Sequence, residues 1–580
     1  MKILKSKKGI IALTLLLIVC TILPVTPNAT AKPAQASTTV IIGTSDKIIN
    51  LDPADCYDYF SSNILVQITH GLMEMPIDST DAEPGPILES WKVDATAKEY
   101  TFNLKEDIKF SDGTDFNASA LKWNLDRSID LNGDPGFLLS DVVNTVTELN
   151  DTAVRIDLSI ADATFLQRLT YTVAWPVSPN GPLAEGTISG DPDHIPHGLG
   201  PYMVDTWTKD TEIILVPNPH YFGTAPQNEK VVIKFYASAS ALLLALESAE
   251  IDVAHRIFGP DEIKTIEADP DLAHATKATA GIRYLMLNCD VDASYPYLTD
   301  VHVRRAIAAA VDRSELCSVV FDDYNEPLFS MVPEIFESHI DAFADGPNQD
   351  HVEGNMTAAG YSETNKYEID LWYSPSHYGS TEADVAQLLQ AQLIATGLFD
   401  VELQAAEWSA YKEGWGIMPL FLLGWWFDYP DPSNYITPFV GGGAFSLGTN
   451  YSSVEMDGYI ETMLSDPVLE TRKEAQIDAQ ELMAIDCPII PLFTMLSQFI
   501  ARQPNVAGVT LEPSENVHYN SIKVTEEPVT TTTTTATETE TETETTTSSE
   551  EGTSGFELVV TFVAIFMTGV IFITKKKRKA

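Results

Sequence analysis

Cysteine is scarce in this chain. Its 580 residues hold 5 cysteines, and none sits in a CxxC or Cys/His spacing that would build a structural zinc site. Cations are scarce too. Lys and Arg number 35 against 83 Asp and Glu, a formal charge of −48, and several of those cations crowd the two termini. An acid excess of this size repels polyanions, which excludes nucleic acid and anionic lipid as partners. It reads as a solvated acidic surface, not as the mark of a cationic ligand. Catalytic signatures are missing: there is no HExxH, no GxSxG and no GxxxxGK[ST] phosphate loop. The expectation is a non-enzyme without a cofactor or an ATP site, so any transport role needs energy from another chain.

Long apolar runs are absent from the interior and occur only at the ends. Lys2, Lys5, Lys7 and Lys8 precede an apolar stretch over 10–23, and Ala29-Thr30-Ala31 offers a small-x-small cleavage site. Residues 1–31 therefore read as a signal peptide. A lipobox reading of Cys20 meets Val19 where a small residue belongs. At the other end, 556–574 reads as a transmembrane anchor, with no charge from Leu558 to Thr574. At 1.5 Å per residue that uncharged run spans roughly 26 Å, the short end for a bilayer. The basic tail 575–580, Lys575-Lys576-Lys577-Arg578-Lys579 and a final Ala580, stays cytoplasmic by the positive-inside rule. A cleaved lipid-anchor signal would stay apolar to its end. Between globule and anchor, 526–555 is Thr- and Glu-rich and cannot bury apolar area, so it reads as a disordered stalk. The expected location is a cell membrane, single-pass, with the globule outside.

Cys56, Cys289, Cys317 and Cys487 follow the signal segment, and sequence leaves their pairing open. Four Asn-x-Ser/Thr triplets, at Asn117, Asn150, Asn355 and Asn450, fit an exported chain.

Strand and helix patterns alternate through 38–525. A strand is expected over 231–236 and a helix over 239–250, with Leu242, Leu243 and Leu246 on one face. Residues 366–373 alternate as a strand. Thr381 opens a helix with Val385, Leu388, Leu389 and Leu393 at helical spacing, Gly397 stops it, and Val401 and Leu403 resume a strand. That run predicts a βαβ unit with a parallel pair. Asp300 is expected to cap a helix whose buried face holds Val303, Ile307, Ala310 and Val311. A hairpin is expected around 105–107. The class is α/β.

Ordered blocks then accumulate. They include Leu51-Asp52-Pro53, Ile68-Thr69-His70-Gly71-Leu72, Lys109-Phe110-Ser111-Asp112-Gly113-Thr114 with Asp126-Arg127, and Gly198-Leu199-Gly200-Pro201-Tyr202. Val303-Arg304-Arg305-Ala306-Ile307, Gly424-Trp425-Trp426-Phe427-Asp428-Tyr429-Pro430 and Pro488-Ile489-Ile490-Pro491-Leu492-Phe493 follow. Over nearly all of 38–525 the chain resembles the extracytoplasmic solute-binding proteins of family 5, the oligopeptide/dipeptide/nickel type of ABC transporter substrate-binding protein. Its stalk and anchor resemble archaeal members tethered at the C-terminus. His70 stands where the family usually has Glu.

The resemblance implies a two-lobed periplasmic-binding-protein-like α/β fold with an extra inserted subdomain. The first lobe is expected over 38–74, 197–281 and 481–525, the insert over 75–196 and the second lobe over 282–480. Gly198 and Gly200 are expected at a tight crossover, and Arg304 and Arg305 in surface or interlobe ion pairs. Trp425, Trp426 and Phe427 precede an acid, the adjacent tryptophans are expected to supply a flat apolar platform with indole N–H donors, and Tyr429 is a further ligand-binding candidate. The resemblance assigns Asp428 to a peptide ligand's ammonium. Tyr57 and Asp58 are candidates for the facing wall, and Trp408 and Tyr411 are further candidates; no metal site is expected. The implied function is the receptor of an ABC importer that passes a small-molecule ligand to permease and ATPase subunits. A peptide and an oligosaccharide both suit such a cleft, and a cell-surface structural or adhesive protein is the alternative of another class.

Overall fold

Thr39–Thr44, TVIIGT, is β-branched and largely buried, and it starts a seven-stranded sheet. In this computed structural model residues 39–525 are described, apart from 185–189, 257, 278, 290–297, 344–345, 376, 380, 442–446 and 496–497. All of them fall within one contact unit, Met1–Val529. The signal peptide, the stalk, the anchor and the basic tail expected from the sequence lie outside the described residues. Among the described residues no helix is long and apolar enough to cross a membrane.

The first strand pairs parallel with Lys230–Phe235 and with Val253–His255. The helix Ala239–Glu247 lies between those two partners and buries Leu242 and Leu246. A second sheet of five strands is built round Ile282–Leu287, IRYLML, every residue of which is buried. A strand enclosed on both faces reads as a continuous apolar run, not an alternation. On this sheet's flank Tyr367–Tyr373 pairs parallel with Phe399–Ala405 across seven residues, and the helix Glu382–Ala395 connects them. The predicted βαβ unit is present, and Gly397, at φ +79°, ends its helix in the left-handed region that a side chain disfavours. Asp300 caps Val301–Ala310 by accepting the His302 N–H. A third sheet of four antiparallel strands falls within 88–158 and is covered by the helix Ala118–Leu131. Each sheet has its own apolar cluster.

Several expectations need correction. The helix Leu469–Asp486 runs unbroken through the boundary expected at 480/481. The strand Ile489–Thr494 then pairs antiparallel with Ile282–Leu287. Residues 481–494 therefore belong with the five-stranded sheet, and the chain re-enters the seven-stranded sheet only at Gln498–Arg502. Residues 105–107 do not join two strands: Glu99–Leu104 pairs instead with Leu88–Val93 and Ala153–Leu158. Arg304 is buried and makes no ion pair among the described residues. Its guanidinium donates to the carbonyls of Leu298, Thr299, Asp486 and Cys487, and Arg305 donates to that of Ile485. Cations there satisfy the unpaired carbonyls at the end of Leu469–Asp486. The four described cysteines are free thiols.

The crossover at Gly198 and Gly200 is as tight as expected. A Cβ on Gly198 would lie 2.2 Å from the Ile68 carbonyl oxygen, and one on Gly200 would lie 2.5 Å from the Ile68 carbonyl carbon. The chain passes from the seven-stranded to the five-stranded sheet between Ala273–Lys277 and Ile282–Leu287, with Gly281 at the end of that passage, and returns after Ile489–Thr494. A Cβ on Gly281 would meet the Trp426 indole nitrogen at 2.7 Å, so only glycine lets this crossing pass under the tryptophan.

Candidate functional site

A cleft of about 2110 Å³ opens where residues from all three sheet regions converge. Pockets for drug-sized ligands hold ~300–1,000 Å³, so this one has room for an extended chain of several units. The strand Leu420–Trp425 leaves the five-stranded sheet and delivers Trp425, Trp426, Phe427 and Asp428 to the cleft wall.

Asp428 is 6% exposed. Its Oδ1 accepts the Tyr57 hydroxyl at 2.6 Å, and its Oδ2 accepts the Asn434 amide at 3.3 Å. Burial pushes the carboxyl up to about 6; the Tyr57 and Asn434 hydrogen bonds and the Arg168 charge oppose this without cancelling it. No Lys or Arg is within ion-pair distance among the described residues. Asn434 also receives the Asp428 N–H at 2.8 Å and the Trp425 indole N–H at 3.1 Å, so one side chain fixes the turn and the first tryptophan together. Tyr57 comes from the opposite side. It lies just ahead of the helix Tyr59–Ile68, which packs on the seven-stranded sheet, and its ring rests against Phe137 and Tyr171 of the four-stranded region.

Asp58 borders the cleft, yet its carboxylate caps that helix by accepting the Ser61 N–H at 2.9 Å. Burial raises it to about 6 as well. Trp426 turns toward the last described segment, and its indole donates to Glu515 Oε1 at 2.9 Å. Glu515 Oε2 lies 3.3 Å from the Arg256 guanidinium, which stacks on the Tyr59 ring at 3.9 Å. Glu515 and Arg256 both hold positive φ, +67° and +55°. Left-handed backbone at two paired non-glycine residues on a cleft wall is strain of the kind that collects at binding sites.

Trp408 also lines the cleft. His377 stacks on it at 3.5 Å and 4°, and Tyr378 meets it edge-on. Burial lowers His377 to about 4, with Arg283 and Lys412 adding to the shift, so the stack is uncharged near neutrality. Behind it Arg283 is paired to Glu382 at 2.6 Å and covered by the Tyr378 ring at 3.6 Å.

Two candidates fare differently. Tyr411 is fully buried and donates to the carbonyls of Trp372 and Leu422. It belongs to the core of the five-stranded sheet and does not reach the cleft. Tyr429 borders the cleft but is 4% exposed, packed into the cluster of the four-stranded sheet under the Arg168 guanidinium at 4.6 Å. Sequence reasoning missed Arg256, Arg283, Glu382, Asn434 and Glu515. Only Asn434 left a local signal, six residues past Asp428 in a Pro- and Asp-rich turn. His70, unusual for its place, is hydrogen-bonded to Glu74 at 2.7 Å and lies 3.3 Å from the Tyr221 hydroxyl.

Two α/β lobes with a deep cleft between them, polar groups converging on its walls and chain crossings beneath, define a ligand-binding protein of the periplasmic type. Residues 84–446 match the model of the bacterial extracellular solute-binding proteins, family 5 middle, and the chain belongs to that family. It is 24% identical over 494 residues to the probable D,D-dipeptide-binding periplasmic protein DdpA of Escherichia coli (strain K12), covering 82% of this chain and 92% of that one. It is 26% identical over 516 residues to the glutathione-binding protein GsiB of the same strain, covering 83% and 94%. The solved dipeptide-binding protein from Pseudoalteromonas sp. SM9913, in complex with Met-Leu, superposes with a TM-score of 0.72 at 20% identity, covering 84% of this chain and all of that one.

Proposed function

We propose that the chain is the receptor of an ABC importer and captures a peptide between its lobes for delivery to a membrane permease driven by separate ATPase subunits. The observation that carries this reading is Asp428, a carboxylate 6% exposed and, among the described residues, lacking a cationic partner at contact distance. A buried anion satisfied only by a phenol and an amide favours an incoming ammonium. The Trp425 and Trp426 indoles flank it, Tyr57 and Asp58 face it, and Trp408 offers a platform farther along. The relatives named for dipeptides and glutathione support the same class. Mass spectrometry of small molecules that co-purify with the exterior part is expected to find peptides; oligosaccharides alone would overturn the peptide assignment. The uncharged His377–Trp408 stack, which suits a sugar face, keeps the oligosaccharide as second reading.

Capture works by closure. Ligand that touches both lobes stabilises their closed arrangement, and the permease senses that arrangement. Small-angle scattering of residues 32–555 is expected to give a smaller radius of gyration with saturating ligand. A verified ligand that leaves the curve unchanged would refute closure.

The same reading holds the globule outside the cell on a single-pass anchor at 556–574, with 526–555 as tether. Protease added to intact cells is expected to release a soluble fragment ending in the Thr-rich stretch; full protection of the globule would overturn this topology.

A further inference from the structure

The four Asn-x-Ser/Thr triplets look alike in sequence and differ sharply in the fold. Asn355 lies on the helix Gln349–Ala358; its Nδ2 donates to the His351 carbonyl at 2.9 Å and its Oδ1 is 3.1 Å from His302 Nδ1. Asn450 spends its Nδ2 on Asn288 Oδ1 at 3.0 Å. In both, the nitrogen that a sugar would need is already bonded. Asn117 caps the helix Ala118–Leu131, its Oδ1 taken by the Ala120 N–H at 3.0 Å. Asn150 is different. It sits exposed at the tip between Val143–Asn150 and Ala153–Leu158. Its Oδ1 accepts two donors from its own triplet, the Thr152 N–H at 3.0 Å and the Thr152 O–H at 3.2 Å, and its Nδ2 meets no protein acceptor among the described residues.

We infer that Asn150 is an N-glycosylation site, taking an oligosaccharide from a lipid-phosphate-linked donor outside the membrane. The chemistry follows from the turn. A carboxamide nitrogen is a poor nucleophile because its lone pair is shared with the carbonyl. As Nδ2 gives up a proton to a base of the transferase, negative charge gathers on Oδ1. The two Thr152 donors are already aimed at that oxygen, so the charge is stabilised without reorganisation. Nδ2 then forms its bond to the sugar's anomeric carbon, and the bond from that carbon to the donor's phosphate oxygen breaks, its electron pair leaving with the phosphate. The tip of a two-strand connection is also the kind of exposed backbone a transferase can reach.

Placement agrees with this. Neither Asn150 nor Thr152 lines the cleft, so a glycan there leaves ligand entry open. The neighbouring Leu149 is 47% exposed, an apolar surface that a glycan would cover. The inference depends on export, which the family supplies, and not on the identity of the ligand.

The test uses the full chain purified from the membranes of its own cells. Proteolytic fragments carrying Asn150 are expected to show a sugar mass increment that trifluoromethanesulfonic acid trims to the single Asn-linked sugar, while fragments with Asn355 and Asn450 keep their unmodified masses. Asn150→Gln should abolish the increment. Thr152→Val keeps the asparagine and the side-chain shape and should abolish it as well, because the hydroxyl is lost. An unmodified Asn150 in the native protein would overturn the inference. So would a glycan on Asn355 or Asn450 in its place, or full occupancy surviving in Thr152→Val.

Discussion

Asp428→Asn is expected to weaken binding of a peptide with a free amino terminus by at least about tenfold. A hydrogen bond to a charged partner contributes roughly 1.5–3 kcal/mol, and 1.4 kcal/mol is one decade in affinity. The substitution keeps the size, and an asparagine carbonyl can still accept the Tyr57 hydroxyl, so the loss isolates the charge. N-acetylated peptides should bind the natural chain poorly and lose much less on substitution, since they bring no ammonium. Calorimetric titration of both proteins with both peptides is the measurement. Tight binding of free peptides that Asp428→Asn leaves unchanged would make Asp428 a turn residue and nothing more.

The same carboxylate gives pH effects of opposite sign. Its value of about 6 in the folded chain lies above the ordinary 3.8. Between those limits the folded chain holds a proton that the unfolded chain has released. Its contribution to stability therefore falls as pH rises from about 4 to about 6 and is level beyond. Asp58, also raised to about 6, behaves alike. Ligand affinity should run the other way, because an ammonium needs the ionised form, so free-peptide affinity should rise between about pH 5 and about pH 7.5. Asp428→Asn should flatten that rise. A rise of equal size in Asp428→Asn would assign the effect to another group.

Elements set by local rules were legible in the sequence. The βαβ unit from 367 to 405 could be read because its strands alternate, its helix repeats at 3.6 residues and Gly397 stands where only a left-handed residue ends the turn. The turn carrying Asp428 could be read because aromatics, an acid and prolines lie together. What failed depends on distant pairing. The break expected near 481 ignored that Ile489–Thr494 has its partner some two hundred residues earlier, and no local pattern carries that. Tyr411 carries an aromatic ring with a polar tip like any cleft residue, and only the carbonyls of Trp372 and Leu422 reveal it as core. Glu515 and Arg256 were invisible for the same reason. An acid in an acidic chain says nothing until the fold brings a guanidinium and an indole to it.

Arg127→Leu is expected to destabilise the chain by roughly 3–5 kcal/mol, the usual cost of removing one partner from a buried ion pair. Arg127 projects from Ala118–Leu131, and its two terminal nitrogens meet the two oxygens of Asp52 at 2.8 and 2.6 Å, a fork-to-fork pair with both side chains almost fully buried. Asp52 Oδ1 also accepts the Ala54 N–H, which shapes the loop leading to Tyr57. Without the guanidinium, one net negative charge stays buried with only that amide for compensation. Replacing both partners, Asp52→Leu with Arg127→Leu, removes the stranded charge and should recover part of the loss, because the pair's attraction is largely spent on its own desolvation. Urea unfolding followed by tryptophan fluorescence measures each variant. A loss below about 1 kcal/mol in Arg127→Leu would mean that Asp52 finds water or another donor there, and the pair would then not be what fixes the helix Ala118–Leu131 against the loop that carries Tyr57.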